Sequence, residues 1–362
     1  MIKKIITIFI LFLYLGTKAA QTQDLPPSKL IITADTVIMH MAGMPDLTET
    51  SKQLNSFEIP SPESYFSTDR KKFKVRFWTP SEAPKEASAK LLLPNDLKLG
   101  ESIKLHIARP EEGLNSISAE EIPEELSDIT VKYYWGCGEE INPEQESILK
   151  WDSIPDMQKS AIIRQIYSDK GSFFYKPDWS IAFYPNEKET KKIDRKAKLA
   201  GKYKLITNYA GEAEITIPES ADFLKPFIFT SPNLNKSVPF DKPITFKWKP
   251  INNILGINAL IIGTSKDGTI TIWSSSEVSG ADIIPDEYPD REMIKKMTED
   301  GILMPADQTE MKIPAKIFSS CDSVFMIMNG YGNEISYENY NIITQIKTKT
   351  SVMVMLKSSV NL

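Results

Sequence analysis

The chain has 362 residues, too long for one ordinary domain, and two is the natural expectation. Its apolar fraction of 41 % and charged fraction of 25 % are those of a globular protein that buries its own core, and they exclude a disordered or collagen-like chain. The net charge of −5 argues against nucleic acid or an anionic membrane surface as partner.

The first residues read as a targeting segment. Lys3 and Lys4 make a positive start, Ile5 to Gly16 is apolar apart from Thr7, and Thr17 and Ala19 are the small residues a signal peptidase requires. Cleavage is expected after Ala19, with Ala20 as the alternative. The apolar run falls well short of the ~20 residues that cross a bilayer. No later stretch is long and apolar enough to span one either. Without residues 1–19 the chain carries 40 basic and 48 acidic residues, a net charge of −8.

Beyond the leader, apolar residues alternate with polar ones. Phe73, Val75 and Phe77 alternate with Lys72, Lys74 and Arg76, and Ile103, Leu105 and Ile107 with Ser102, Lys104 and His106. Ile129, Val131, Tyr133 and Trp135 share one parity, as do Ile244, Phe246 and Trp248. Period two marks strands with one face on a core and one in water, the habit of antiparallel sheets. Twenty-four prolines against sixteen glycines favour short strands and stiff loops.

Turn chemistry separates these runs at Pro94-Asn95-Asp96, Asn208 to Gly211 and Lys266-Asp267-Gly268. Asp267-Gly268 before Thr269 to Trp273 predicts a hairpin, and so does Ala210-Gly211 between Tyr203 to Thr207 and Glu214 to Ile217. Two short helices are expected, over Pro155 to Tyr167 and Pro289 to Asp300. The second carries Met293, Ile294 and Met297 on one stripe and stops at Gly301. Solvated loops are expected at the acidic stretch Glu111 to Asp128 and the mixed-charge stretch Asn186 to Lys198. The best boundary lies near Ala221 to Pro226, which divides the chain into a leader (1–19), an N-terminal domain (20–225) and a C-terminal domain (226–362).

Pro243-Ile-Thr-Phe-Lys-Trp248-Lys-Pro250, Gly256 to Gly263 and Thr269 to Trp273 resemble strands of a fibronectin type III or immunoglobulin-like domain over roughly residues 226–350. Met311 to Phe318, Val324 to Met328 and Ile342 to Thr348 are similar to its later strands. The resemblance implies that Trp248 packs between two sheets. The sequence departs from that pattern in the helix inserted at Pro289 and in Phe325/Met326 where a tyrosine is usual. Gly201-Lys-Tyr203 resembles the tyrosine corner of such domains. Tyr133-Tyr-Trp-Gly-Cys-Gly138 and Trp273-Ser-Ser-Ser-Glu277 resemble a set of uncharacterised exported proteins of Gram-negative bacteria, to which no activity is attached and which implies a periplasmic or cell-surface location. The expected architecture is mainly β: two antiparallel immunoglobulin-like sandwiches with two packing helices.

The residues offer few routes to catalysis. His40 and His106 are the only histidines, and no nucleophile elbow, P-loop, dinucleotide fingerprint or zinc cysteine pair is present. Met39-His40-Met41-Ala-Gly-Met44 carries soft thioethers and an imidazole that suit copper(I), although a strand would point His40 away from Met39 and Met41. Core packing is the plainer role for methionine. Tyr133 to Glu140 with Trp151 and Trp179 supplies aromatics beside acids, the makings of a glycan-binding platform, although core packing is the plainer role for Tyr133 and Trp135, which share the inward parity of Val131. Tyr134, of opposite parity to Tyr133 and Trp135, is there the expected contact, together with Glu139 and Trp273. Glu139 and Glu140 adjoin and so face opposite ways, a poor acid/base pair. Cys137 and Cys321 form either one bridge or two free thiols. The favoured function is non-enzymatic binding of a protein or glycan partner in the envelope through loops, with copper binding and a carbohydrate-active enzyme as alternatives.

Overall fold

The computed structural model describes residues 25–43, 69–80, 82–109, 130–150, 153, 178–186, 189–279, 288–339 and 341–358. The leader, Met44, Trp151, the stretch 111–128 and the helix expected over Pro155 to Tyr167 lie outside these residues.

The described residues are mainly β. The first ten strands are β1 (Ser28–Met41), β2 (Arg70–Thr79), β3 (Ala89–Leu92), β4 (Ser102–Lys104), β5 (His106–Ala108), β6 (Thr130–Trp135), β7 (Glu146–Lys150), β8 (Ser180–Tyr184), β9 (Gly201–Thr207) and β10 (Glu212–Ile217). Next come β11 (Phe229–Ser231), β12 (Ile244–Trp248), β13 (Ile254–Thr264), β14 (Ile270–Ser274), the helix α1 (Arg291–Glu299), β15 (Met304–Pro305) and β16 (Glu310–Ile313). The last three described strands are β17 (Ser323–Gly332), β18 (Ile335–Asn339) and β19 (Ile342–Lys357).

Among the described residues these strands form three sheets, none of them a barrel. A twelve-stranded sheet runs β5-β8-β2-β1-β19-β17-β13-β14-β6-β7, with β15 on β13 and β18 on β19. A four-stranded sheet runs β10-β9-β3-β4, and a three-stranded sheet runs β11-β12-β16.

Alternation along β1 and β19 explains how one sheet serves two cores. Leu30, Ile32 and Ala34 of β1 join Ile342 and Ile346 of β19 in an apolar cluster with Leu91, Tyr203, Leu205 and Ile215 of the four-stranded sheet. Further along the same parity, Val352, Val354 and Leu356 join Phe246, Trp248, Met311 and Ile313 of the three-stranded sheet. Both small sheets therefore cover the same face of the large one, called here the inner face. At ~3.3 Å per residue, β19 reaches about 50 Å, enough to run under both. Trp248 sits in the second cluster, its ring edge-on to Phe227 at 6.2 Å.

The expected hairpins form as β9–β10 and β13–β14. The expected helix forms as α1. Asp290 caps it by accepting from the Met293 N–H at 2.7 Å, Ile294 is buried, and Gly301 ends it at φ 77, a conformation that favours glycine.

Other expectations need correction. The pairing is not wholly antiparallel, since β1–β19 and β14–β6 are parallel. Alternation fixes the faces of a strand and says nothing of its neighbour's direction. The run Ser102 to Ile107 is not one strand. It breaks at Leu105, where the chain leaves the four-stranded sheet to pair β5 with β8. The last strand continues to Lys357, and the strand expected over Met311 to Phe318 stops at Ile313. The stretch Ala221 to Pro226 passes between the two small sheets, while the large sheet takes strands from both sides of it. Among the described residues, no helix is long and apolar enough to cross a membrane.

Candidate functional site

Tyr134, Cys137, Glu139 and Trp273 converge where β6 leaves the large sheet. Beyond Trp135, Gly136 turns the chain at φ 88, and a Cβ at this position would run into the Gln145 amide. Gly136 N–H donates to the Ser274 carbonyl at 3.2 Å, and its own carbonyl accepts from the Trp273 indole Nε1 at 3.0 Å. Cys137 N–H donates to Glu277 Oε1 at 3.1 Å. The chain then crosses to the three-stranded sheet. Gly138 N–H donates to the Lys312 carbonyl at 3.2 Å, and Ala315 N–H donates to the Glu139 carbonyl at 3.0 Å. The Lys312 ammonium meets Glu139 Oε1 at 2.7 Å. A turn closed by Gln145 N–H on the Asn142 carbonyl, at 2.8 Å, leads into β7.

This loop is thus fastened to both sheets at the end of the second core. Glu139, Glu140, Asn142, Pro143 and Glu144 face solvent from it. The Lys312 hydrogen bond and charge hold the Glu139 carboxyl below the usual glutamate range. Burial, then the negative charge of Glu277, pushes the Cys137 thiol up to about 12, so it stays protonated and unreactive near neutrality.

Tyr134 and Trp273 are not the open contacts expected of them. The parallel register of β6 on β14 sets Tyr134 beside Trp273, and the antiparallel registers beyond it set Trp273 beside Ile261 and Ile261 beside Met326, a row on the inner face. Both aromatic side chains are buried in the second core. The Tyr134 hydroxyl donates to Glu146 Oε1 at 2.8 Å, and burial and that carboxylate raise its pKa. Tyr133 and Trp135 point to the other face and are buried too, their rings stacked at 5.5 Å. With both faces covered, parity alone could not name the contact side. Trp179 packs elsewhere, beside Ile31, Trp78 and Tyr288.

The methionine stretch divides as a strand must. His40 faces inward, its ring 6.4 Å from that of Phe229 and edge-on to it. Met39 and Met41 lie half-buried on the outer face. The nominated set Met39, His40, Met41 and Met44 therefore does not gather, and Met44 is outside the described residues. The structure adds two sulfurs to this face: Met353 stands beside Met39 and Met355 beside Met41. Among the described residues, no three His, Cys, Asp or Glu side chains are placed to hold a metal ion. Cys137 and Cys321 are free thiols, the first half-buried and the second buried.

Glu277, Lys312 and Glu146, which fasten the loop and the Tyr134 hydroxyl, were not nominated from the sequence. Glu277 and Lys312 are each more than a hundred residues from the loop they hold, and no local pattern marks them. In comparison with known proteins, the chain matches no family model, and no curated protein matches it.

Proposed function

We propose that this is an exported, non-enzymatic protein of the bacterial cell envelope that binds a protein or glycan partner through the loop between β6 and β7. One observation carries the reading: the loop is hydrogen-bonded to both sheets it spans, while Glu139, Glu140 and Glu144 point to solvent. A loop already ordered by its scaffold binds with little further loss of conformational entropy. Export rests on the leader pattern of residues 1–19. The finer reading of the fold as two immunoglobulin-like sandwiches is supported by Trp248 in the second core and by the Tyr203 hydroxyl, which donates to the Leu199 carbonyl at 2.6 Å as in a tyrosine corner. Glu139, held below the usual glutamate range by Lys312, does not suit the general-acid role of a glycosidase.

The test is capture of envelope proteins and glycans by the mature protein and by a Glu139→Lys/Glu140→Lys/Glu144→Lys variant. Loss of a partner with unchanged melting supports the reading. A partner held equally by both proteins, or catalytic turnover of a glycan, would overturn it.

A second reading, copper(I) binding, is favoured by the pairing of Met39 with Met353 and of Met41 with Met355, which sets four thioethers on one face of adjacent strands. Copper(I) titration against a chromogenic competitor decides it. Binding that survives Met353→Leu/Met355→Leu unweakened, or no binding at all, removes this reading.

A further inference from the structure

We propose that the chain associates with a second copy of itself by antiparallel pairing of β7 with β7, continuing the large sheet across a two-fold axis. The two edges of that sheet differ. One ends in β5, a three-residue strand with His106 exposed and Ile107 and Ala108 half-buried, the short kind of edge that resists further pairing. The other ends in β7, five residues long, whose Ile148 is 56 % and Leu149 42 % exposed. Among the described residues, β6 is the only strand that pairs with β7. An open edge with apolar side chains on both faces is a template for another strand.

The sequence of β7 names that strand. It reads Glu146-Ser-Ile-Leu-Lys150. A two-fold axis through Ile148 places Glu146 opposite Lys150 of the second copy, Lys150 opposite Glu146 of the second copy, and the two Ile148 side chains against each other. An axis through Leu149, or between Ile148 and Leu149, leaves neither charge matched within the strand. Opposite charges and apolar pairs directly across an antiparallel ladder stabilise it, and like charges there oppose it. An isologous contact must be self-complementary in this way. Tyr134 engages Oε1 of Glu146, which leaves Oε2 for the incoming ammonium. This edge adjoins the acidic loop proposed above to bind a partner, but it uses Glu146, Ile148 and Lys150 rather than Glu139, Glu140 and Glu144.

Sedimentation equilibrium of the purified protein, from low micromolar to near-millimolar concentration, is the test. A reversible monomer–dimer equilibrium is expected. Ile148→Lys, at an exposed position, is expected to leave the melting temperature unchanged and to abolish the dimer. Glu146→Lys and Lys150→Glu each set like charges across both symmetric pairs and should weaken dimerisation roughly tenfold. The double variant Glu146→Lys/Lys150→Glu restores the pairing and should recover the parental affinity. A chain that is monomeric throughout overturns the proposal. So does a dimer that Ile148→Lys and the single reversals leave intact, and so does a double variant no tighter than the singles.

Discussion

The hydroxyl of Thr36 donates to the carbonyl of Leu224 at 2.6 Å, inside the protein. Thr36 stands midway along β1, between Ala34 in the first core and Ile38 against the second. Leu224 lies in the stretch between the two small sheets. The bond therefore joins the crossing point of the connection to the strand that both cores share. Because β1 and β19 pass through both cores, the two are expected to unfold together, with coincident urea transitions in tryptophan fluorescence and circular dichroism. Thr36→Val keeps the shape and strands a buried carbonyl, so it should cost about 1–3 kcal/mol in that single transition. Two separated transitions in the parent would refute the shared-sheet coupling.

The sequence made some of this arrangement visible and hid the rest for physical reasons. Strands with one watery face announced themselves, as at Phe73/Val75/Phe77 and Ile244/Phe246/Trp248, because solvent imposes the period. The turn residues gave both hairpins, and an early proline with a terminal glycine gave α1. β1 carries Leu30, Ile31 and Ile32 in succession, buried on both faces, so its pattern has no period to read. Its parallel pairing with β19 joins residues more than three hundred positions apart, and no local signal encodes that contact. The same limit applied at the site. Tyr134 and Glu139 were noticed for their chemistry, yet Trp273, Glu277 and Lys312 decide what each of them does there.

Cys137 offers a pH test of the loop. Its folded pKa is raised from 9.0 to about 12, first by burial and then by Glu277. At neutral pH this leaves roughly a thousandfold less thiolate than an ordinary cysteine holds. An unfolded chain loses that proton earlier, so the thiol's contribution to stability falls as pH rises from 9 towards 12. Slow reaction with a disulfide reagent is expected near neutrality, accelerating steeply with alkali. Glu277→Gln removes the repelling charge and should speed labelling. An unchanged rate in that variant would show that Glu277 does not govern the thiol.

The Glu139–Lys312 pair makes the complementary prediction. Glu139 is held below the glutamate value of 4.5, first by the hydrogen bond from Lys312 and then by its charge. Lys312 is raised above 10.5 by the same partner. A depressed carboxyl contributes above its unfolded pKa and loses that contribution as pH falls through the folded value. A raised lysine contributes below its unfolded pKa and loses that contribution as pH rises through the folded value. The pair thus works across the neutral range and fails at both extremes. Both groups are solvent-exposed, so salt should weaken it. An NMR titration should place the Glu139 midpoint low, and Lys312→Gln should return it to the ordinary range. A midpoint indifferent to that change would mean the contact is not held in solution.

Lys347 and Glu334 present the costlier electrostatic arrangement. The ammonium lies 3.1 Å from Oε2 of Glu334, with both side chains almost wholly out of solvent. Gln345 Nε2 donates to the other carboxylate oxygen at 2.7 Å, and Lys347 Nζ also donates to the Tyr288 carbonyl at 3.2 Å. A buried pair gives back in attraction much of what desolvation takes, so its net worth is small. Removing Lys347 alone takes the neighbouring positive charge away from the Glu334 carboxylate. Lys347→Met should therefore destabilise the fold by about 3–5 kcal/mol. Lys347→Met/Glu334→Leu removes both charges and should recover part of that loss, short of the cost of the Gln345 donor and the Tyr288 carbonyl that lose their partners. Urea denaturation of the two single variants and the double variant measures the coupling. Additive losses would place the two charges in water rather than in each other's field.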